Sequence, residues 1–363
     1  MDLILDAHQD LAYNMQFCGR DYSRSVTETR KLESGSPMRD VLENTLLGWP
    51  EYNEGGVGVV FGTLFASPFN PERPDRIIRS YKSIEEANQM YWDQLDFYKT
   101  WTARHPHIFQ LILSRAALKA HVALWQDKTQ KRLKPVGIIP LMEGAEGILG
   151  PHELPQWKEA GVHLIGLAWE GNQYCGGTRQ PGPLTPAGKD LVREMARLGF
   201  VLDISHLDEE SVWQVFDIFD GQLIASHANA SSLIKGYKGN RMLSDDVIRT
   251  SISLGVVIGV VPYNGFLNRE WKEDGGRDSV SLSMVAEQID HICQIAGNTL
   301  HVGLGTDFDG GLGVESVPKE IDSIADIKKL SPFLSKRGFT REDITRIFSG
   351  NFLRVLESAL PEQ

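Results

Sequence analysis

Eight short apolar runs, each followed by helical sequence, constrain this chain more than any other feature. They are Leu3-Ile4-Leu5, Gly55 to Phe65, Val136 to Leu141, Val162 to Leu167, Phe200 to Ile204, Leu223 to Ala225, Val256 to Val261 and His301 to Leu304. Brief apolar runs of this kind read as strands buried on both faces. Helix candidates lie at 114–127, 151–159, 186–198, 208–219, 244–253 and 281–297. Thr185-Pro186 opens one with a capping residue and a proline at the first helical position, and Asp208 caps the next. A longer pattern from Pro74 to about Ala103 sets Tyr81, Ile84, Ala87, Met90, Tyr91, Leu95 and Tyr98 at helical spacing, which reads as core packing.

Strand–helix alternation implies a parallel sheet, and eight units imply an α/β chain closed into a (β/α)8 barrel. The competing arrangement is an open Rossmann-like sheet, but no Gly-x-Gly-x-x-Gly follows the first run. Residues 1–363 are expected to form a single barrel domain. The polar stretch 13–55 would be a functional loop, and 317–363 would be closing helices.

The formal net charge of -11 speaks against a nucleic-acid partner and fits an anionic membrane surface poorly. No apolar stretch reaches the roughly 20 residues that span a bilayer, and the first residues do not read as a signal peptide. Cys18, Cys175 and Cys293 are odd in number and widely spaced, as expected of buried thiols in a reducing compartment. The expectation is a cytoplasmic protein.

Polar residues gather at the ends of the apolar runs. The first ends in Asp6-Ala7-His8-Gln9-Asp10, the third in Met142-Glu143-Gly144, and the fifth in Asp203-Ile204-Ser205-His206. The sixth ends in Ser226-His227 and the eighth in Gly305-Thr306-Asp307-Phe308-Asp309-Gly310. All strand C-termini of a barrel face one mouth, so these residues would converge. Residues two apart on a strand share a face, which places His8 with Asp10. Three histidines and several carboxylates exceed what one tetrahedral zinc requires. Two zinc ions per chain would use them all: His8 and Asp10 on one ion, His206 and His227 on the other, and Glu143 between. Such a pair holds a hydroxide and lowers its pKa, with Asp307 as the proton carrier. Glu146 is the alternative to Glu143; Asp203 would support a ligand, Asp309 would cap a turn, and Asp6 would do either. His105, His107, His121, His152, His163 and His291 read as ordinary core or surface residues, and His301 begins a strand, at the wrong end of a barrel for catalysis.

These ordered motifs, ending in Gly350-Asn351-Phe352-Leu353-Arg354-Val355, resemble the renal (membrane) dipeptidase family, peptidase family M19 of the amidohydrolase superfamily. The likeness runs from residue 2 to about 355. It implies a TIM barrel of the metal-dependent hydrolase type with two Zn2+, cleaving dipeptides and often accepting a D-residue at the C-terminal position. It implies metal ligands at His8, Asp10, Glu143, His206 and His227, and a catalytic Asp307. Arg241 is the counterpart of an arginine that holds the substrate carboxylate, a task its planar fork suits. Tyr263 and Asn264 fall where the family lines its pocket. Trp169 stands where many members carry a histidine that contacts the scissile carbonyl; an indole offers only an N–H donor. Oxyanion stabilisation would then rest more on the metals, and the substrate range would differ. The partner expected is a small dipeptide, with a homodimer allowed as the assembly. The same metal site would also suit N-acyl amino acids or lactones, and an inactive binding protein is the reading of another class.

Overall fold

The computed structural model describes residues 3–71, 79–130 and 132–363. Eight parallel strands close into a ring: β1 (Ile4–Gln9), β2 (Val57–Phe65), β3 (Val136–Glu143), β4 (Leu164–Gly166), β5 (Val201–Asp203), β6 (Leu223–Ala225), β7 (Val257–Val260) and β8 (Val302–Leu304). Each strand pairs with its neighbour in sequence, and β8 pairs with β1 through Asp6 and Leu304. This is the (β/α)8 TIM barrel that the eight apolar runs imply.

Two cores divide the interior. Leu5, Ala7, Val59, Phe61, Ile139, Leu141, Leu164, Val201, Ile224 and Val257 fill the inside of the ring. The helix Asn351–Ala359 closes the bottom of that core with Phe352, Val355 and Leu356. Its Phe352 meets Phe61 edge to face at 5.5 Å, and a side chain on Gly303 would strike that ring. The larger core lies between the strands and the surrounding helices. With the lower end plugged, a site can open only at the strands' C-terminal end.

Three features depart from the sequence reading. Pro74 lies outside the described residues, and the long helix spans Ile84–Arg104, capped by Ser83. Tyr81 belongs instead to the short strand Ser80–Tyr81, which pairs with Ser67–Pro68. A ninth parallel strand, Phe109–Leu111, pairs with the lower part of β3 and stands outside the ring. Three residues are too short a run to announce it. Finally, β1 is bulged: Asp6 faces Val60, yet Gln9 faces Gly62. The extra residue breaks the two-residue period just before His8, a local device that re-aims side chains near sites.

The 13–55 stretch is tied down by the end of β8. Arg20 is fully buried, pairs with Asp309 at 3.1 Å, and forks onto Glu33 at 3.0 and 3.1 Å. Asp309 also accepts from the Leu46 backbone N–H at 2.8 Å and from the Tyr22 hydroxyl at 3.0 Å. It therefore anchors a loop across the sequence rather than merely capping a turn. Arg20→Met strands a buried carboxylate and is expected to cost about 3–5 kcal/mol of stability in urea unfolding. Adding Asp309→Asn should recover part of that loss; a midpoint unmoved by Arg20→Met would deny the pair its role.

Candidate metal centre

Every polar strand end named in the sequence meets at the upper rim. His8, from the bulged end of β1, is completely buried, and its Nε2 lies 3.4 Å from Glu143 Oε2. The same nitrogen lies 4.0 Å from Asp10 Oδ1 and 3.9 Å from Asp307 Oδ1. The other carboxylate oxygen of Glu143 lies 3.3 Å from His206 Nε2 and 3.5 Å from His227 Nε2. One carboxylate, at the end of β3, thus faces two histidine-bearing groups with different oxygens. His8 and His227 stack at 3.6 Å between ring centroids, which brings the two groups side by side. Donor atoms of His8, Glu143 and His227, and of His8, Asp10 and Asp307, lie within 4.8 Å of one another.

Hydrogen bonds fix which nitrogen each ring presents. His227 Nδ1 lies 2.8 Å from Ser226 Oγ, whose own proton goes to Asp203. Asp203 also accepts the backbone N–H groups of Ser205 and Ser226, each at 2.9 Å. His206 Nδ1 lies 2.9 Å from Thr178 Oγ1. The two Nε2 atoms face one another across 2.9 Å, and where both Nδ1 atoms donate to these hydroxyls the Nε2 lone pairs converge. Two facing lone pairs repel unless a shared proton or cation lies between them. Among the described residues neither ring nitrogen of buried His8 has a hydrogen-bond partner, which is costly unless something else binds there. Buried imidazoles and carboxylates of this kind suit borderline divalent cations, so the residues fit a metal site.

Supporting contacts explain the neighbouring polar residues. Thr63 on β2 donates to Asp10. Asp6 accepts the Thr306 N–H at 2.7 Å and so latches β8 to β1 beside Asp307. Glu146 accepts the Trp169 N–H at 3.2 Å and the Tyr91 hydroxyl at 2.9 Å. From the loop after β3 its carboxylate reaches the loop after β4, and Glu143 holds the central place. Backbone room is needed as well: a Cβ at Gly259 or Gly305 would sit 1.9 Å from the Ser226 carbonyl. His206, Asp307 and Asp309 all adopt positive φ (65°, 58° and 63°), strain of the kind that clusters at functional sites.

Arg241 is buried, donates from Nη2 to the His227 carbonyl at 2.8 Å, and lies 5.4 Å over the Phe266 ring. Its Nε and Nη1 have no partner among the described residues. Asn264 is completely buried with both side-chain amide atoms unpartnered, and Tyr263 packs on Phe266 at 4.8 Å. The Trp169 ring lies 6.3 Å from that of His206. Beside Arg241, Asn240 accepts from Arg179 N at 3.1 Å and donates to the Gly177 carbonyl and Asp208, each at 2.8 Å. That amide ties the loops after β4, β5 and β6 together. Thr178 and Asn240 escaped the sequence reading because nothing marks a loop residue as a support. Ser205 and Ser226 did carry a signal, each standing directly before a histidine.

A buried cluster of this kind disfavours charge. Burial, aided by repulsion from Glu143, pushes Asp10 up to about 6. Burial pushes Glu143 up to about 8 and Asp307 well above the carboxylate range. It holds His206 and His227 well below the usual imidazole value, with Arg241 nearby adding to the effect.

The fold and the donor set are those of a metal-dependent barrel hydrolase. The sequence profile of the membrane dipeptidase family, peptidase family M19, matches residues 2–361. The chain belongs to that dipeptidase family, whose members are metallopeptidases. An uncharacterized dipeptidase of Schizosaccharomyces pombe is 33% identical over 309 residues, covering 83% of this chain and 70% of the relative. An uncharacterized Klebsiella pneumoniae protein encoded in the pqqA 5′ region is 31% identical over 278 residues, covering 74% of this chain and 95% of its own length. Among solved structures, a Rhodobacter sphaeroides metallopeptidase liganded with a phosphinate mimic of the dipeptide L-Ala-D-Ala superposes with a TM-score of 0.75. It is 22% identical, with 99% of both chains covered. A probable dipeptidase of Pseudomonas aeruginosa gives 0.76 at 18% identity, covering 99% of this chain and 95% of its own. The two solved structures share the fold.

Cations need the carboxylates ionised, so their binding must expel the protons that burial favours. With Asp10 raised to about 6 and Glu143 to about 8, those protons are held below these values and released above them. Apparent metal affinity should therefore strengthen as pH rises from about 6 to 8. Chelator competition with release of protons into weak buffer measures it; a flat profile would contradict the assignment.

Proposed function

We propose that this chain is a binuclear zinc dipeptidase of the membrane dipeptidase type. The observation that carries the reading is the division of Glu143, one oxygen toward His8 and the other toward His206 and His227. His8 and Asp10 would hold one ion, His206 and His227 the other, with Glu143 shared. Two such cations supply an activated water and a Lewis acid for the scissile carbonyl.

The chain's own groups supply the rest. Asp307, 3.9 Å from His8 Nε2, stands beside the reacting centre, where its carboxylate can accept a proton and return it to the leaving amine. The unpartnered N–H groups of Arg241 offer a fork for the substrate's C-terminal carboxylate, and burial strengthens that attraction. Tyr263, which packs on the Phe266 ring beneath Arg241, and Asn264 would contact the substrate near its carboxylate, and Trp169 would contact it beside His206. Trp169 brings no exchangeable base to the carbonyl. We extend to this chain the L-Xaa-D-Xaa stereochemistry of the mimic bound by the Rhodobacter enzyme. The three buried free thiols support work in the cytoplasm, and among the described residues no helix is long and apolar enough to cross a membrane.

Metal analysis of gently purified protein should find about two divalent cations per chain. Asp307→Asn should keep them while turnover falls roughly 10²–10⁴-fold; loss of metal in that variant would make Asp307 a ligand instead. Arg241→Met should raise KM for dipeptides by about 10–150-fold, from hydrogen bonds to charge of about 1.5–3 kcal/mol. Dipeptide amides should be far less affected. Equal sensitivity of acid and amide would refute the carboxylate role.

A further inference from the structure

Arg241 is buried, yet little holds its guanidinium directly. Nη2 donates to the His227 carbonyl and the Phe266 ring lies 5.4 Å away, while Nε and Nη1 find no partner among the described residues. The place of that fork is therefore set largely by the backbone that carries it. Downstream the chain is anchored: Leu243 donates its N–H to the Asn229 carbonyl at 3.0 Å and accepts from Ser231 N at 2.8 Å. Upstream, Lys235, Gly236, Lys238 and Gly239 are exposed. Packing against this stretch is incomplete as well, because a cavity of about 260 Å³ lies beside Asn240, Met242 and Leu243.

Tyr237 makes up for the missing support. Its N–H closes a turn onto the Ile234 carbonyl at 3.1 Å, with Gly236 at φ 66°, and the phenol then reaches forward along the chain. The phenol oxygen accepts the N–H of Arg241 at 2.6 Å and that of Met242 at 2.8 Å. Successive N–H groups converging on one point form a nest of the kind that binds anions, here filled by a side chain of the same loop. Bonds to two consecutive amides fix the peptide plane at the root of the Arg241 side chain in both place and direction.

The ring is held in turn. Arg269, from the loop after β7, lies 5.9 Å over it and donates to the Gly236 carbonyl at 3.3 Å. Residue 239 leaves the phenol room: a Cβ on Gly239 would sit 2.8 Å from its oxygen. We infer that Tyr237 is a positioning residue for substrate recognition, its hydroxyl setting the Arg241 backbone and thereby the guanidinium that takes the substrate's carboxylate. The inference rests on the dipeptidase reading and on the role of Arg241 within it.

Tyr237→Phe keeps the ring and removes only the acceptor. The test measures kcat and KM for a dipeptide and for its amide with metal-loaded full-length enzyme. Tyr237→Phe should raise KM for the dipeptide about tenfold, since a small misplacement of a charged clamp is costly. Metal content should be retained, and kcat and the amide's KM should stay within about twofold. Gly239→Ala crowds the phenol without removing it and should move the dipeptide's KM the same way, by about threefold. In an Arg241→Met background Tyr237→Phe should add nothing, because both changes remove one interaction. An unmoved dipeptide KM in Tyr237→Phe overturns the inference. So does an equal rise for dipeptide and amide, or a rise that persists without Arg241. Should Arg241→Met itself treat acid and amide alike, the carboxylate reading fails and the role of Tyr237 goes with it.

Discussion

One buried carboxylate governs the arrangement of this molecule. Glu143 lies at the end of β3 with its two oxygens aimed at different histidine groups, 3.4 Å from His8 and 3.3 Å from His206. Among the described residues Arg241 is the opposite charge that acts on it, and burial drives it toward its neutral form. A carboxylate so placed is expensive to bury in an otherwise apolar barrel. Its cost would fall under the proposed pair of cations, one on each side, which would also relieve the facing Nε2 atoms.

Holding such groups together demands rigidity, which comes from outside the cluster. Asp203 orients His227 through Ser226, Thr178 orients His206, and Asp6 locks β8 onto β1. The ion pair of Arg20 with Asp309 fastens the long 13–55 stretch over the same strand end. Behind these contacts stand two apolar cores and a C-terminal helix that seals the opposite end of the ring. That mass of packing can sustain His206, Asp307 and Asp309 in left-handed backbone conformations, each a local cost of order 1–3 kcal/mol.

Arg241, whose Nε and Nη1 lack a partner among the described residues, lies on the β6 side of the site. The long helix Ile84–Arg104 shows how core and site share residues. Its aromatic stripe is core packing, as its spacing suggests, yet the Tyr91 hydroxyl reaches the Glu143 carbonyl and Glu146, and the Tyr98 hydroxyl donates to the Thr63 carbonyl. A tyrosine satisfies both demands because its ring packs while its hydroxyl pairs.

Much was legible in the sequence. Eight apolar runs with intervening helices imply the ring, because burial on both faces leaves parallel strands few other closures. Histidines and acids standing at run ends, not inside them, announce one convergent site. The sequence could not show the bulge before His8, since an added residue in one strand is defined only against its partner. It favours Glu143 over Glu146 as the residue nearer the strand end, but it could not find Thr178 and Asn240, whose roles exist only through contacts far along the chain. Side-chain chemistry is local and can be read in order; which oxygen faces which nitrogen depends on backbone register and loop packing, and these are decided only when the ring closes.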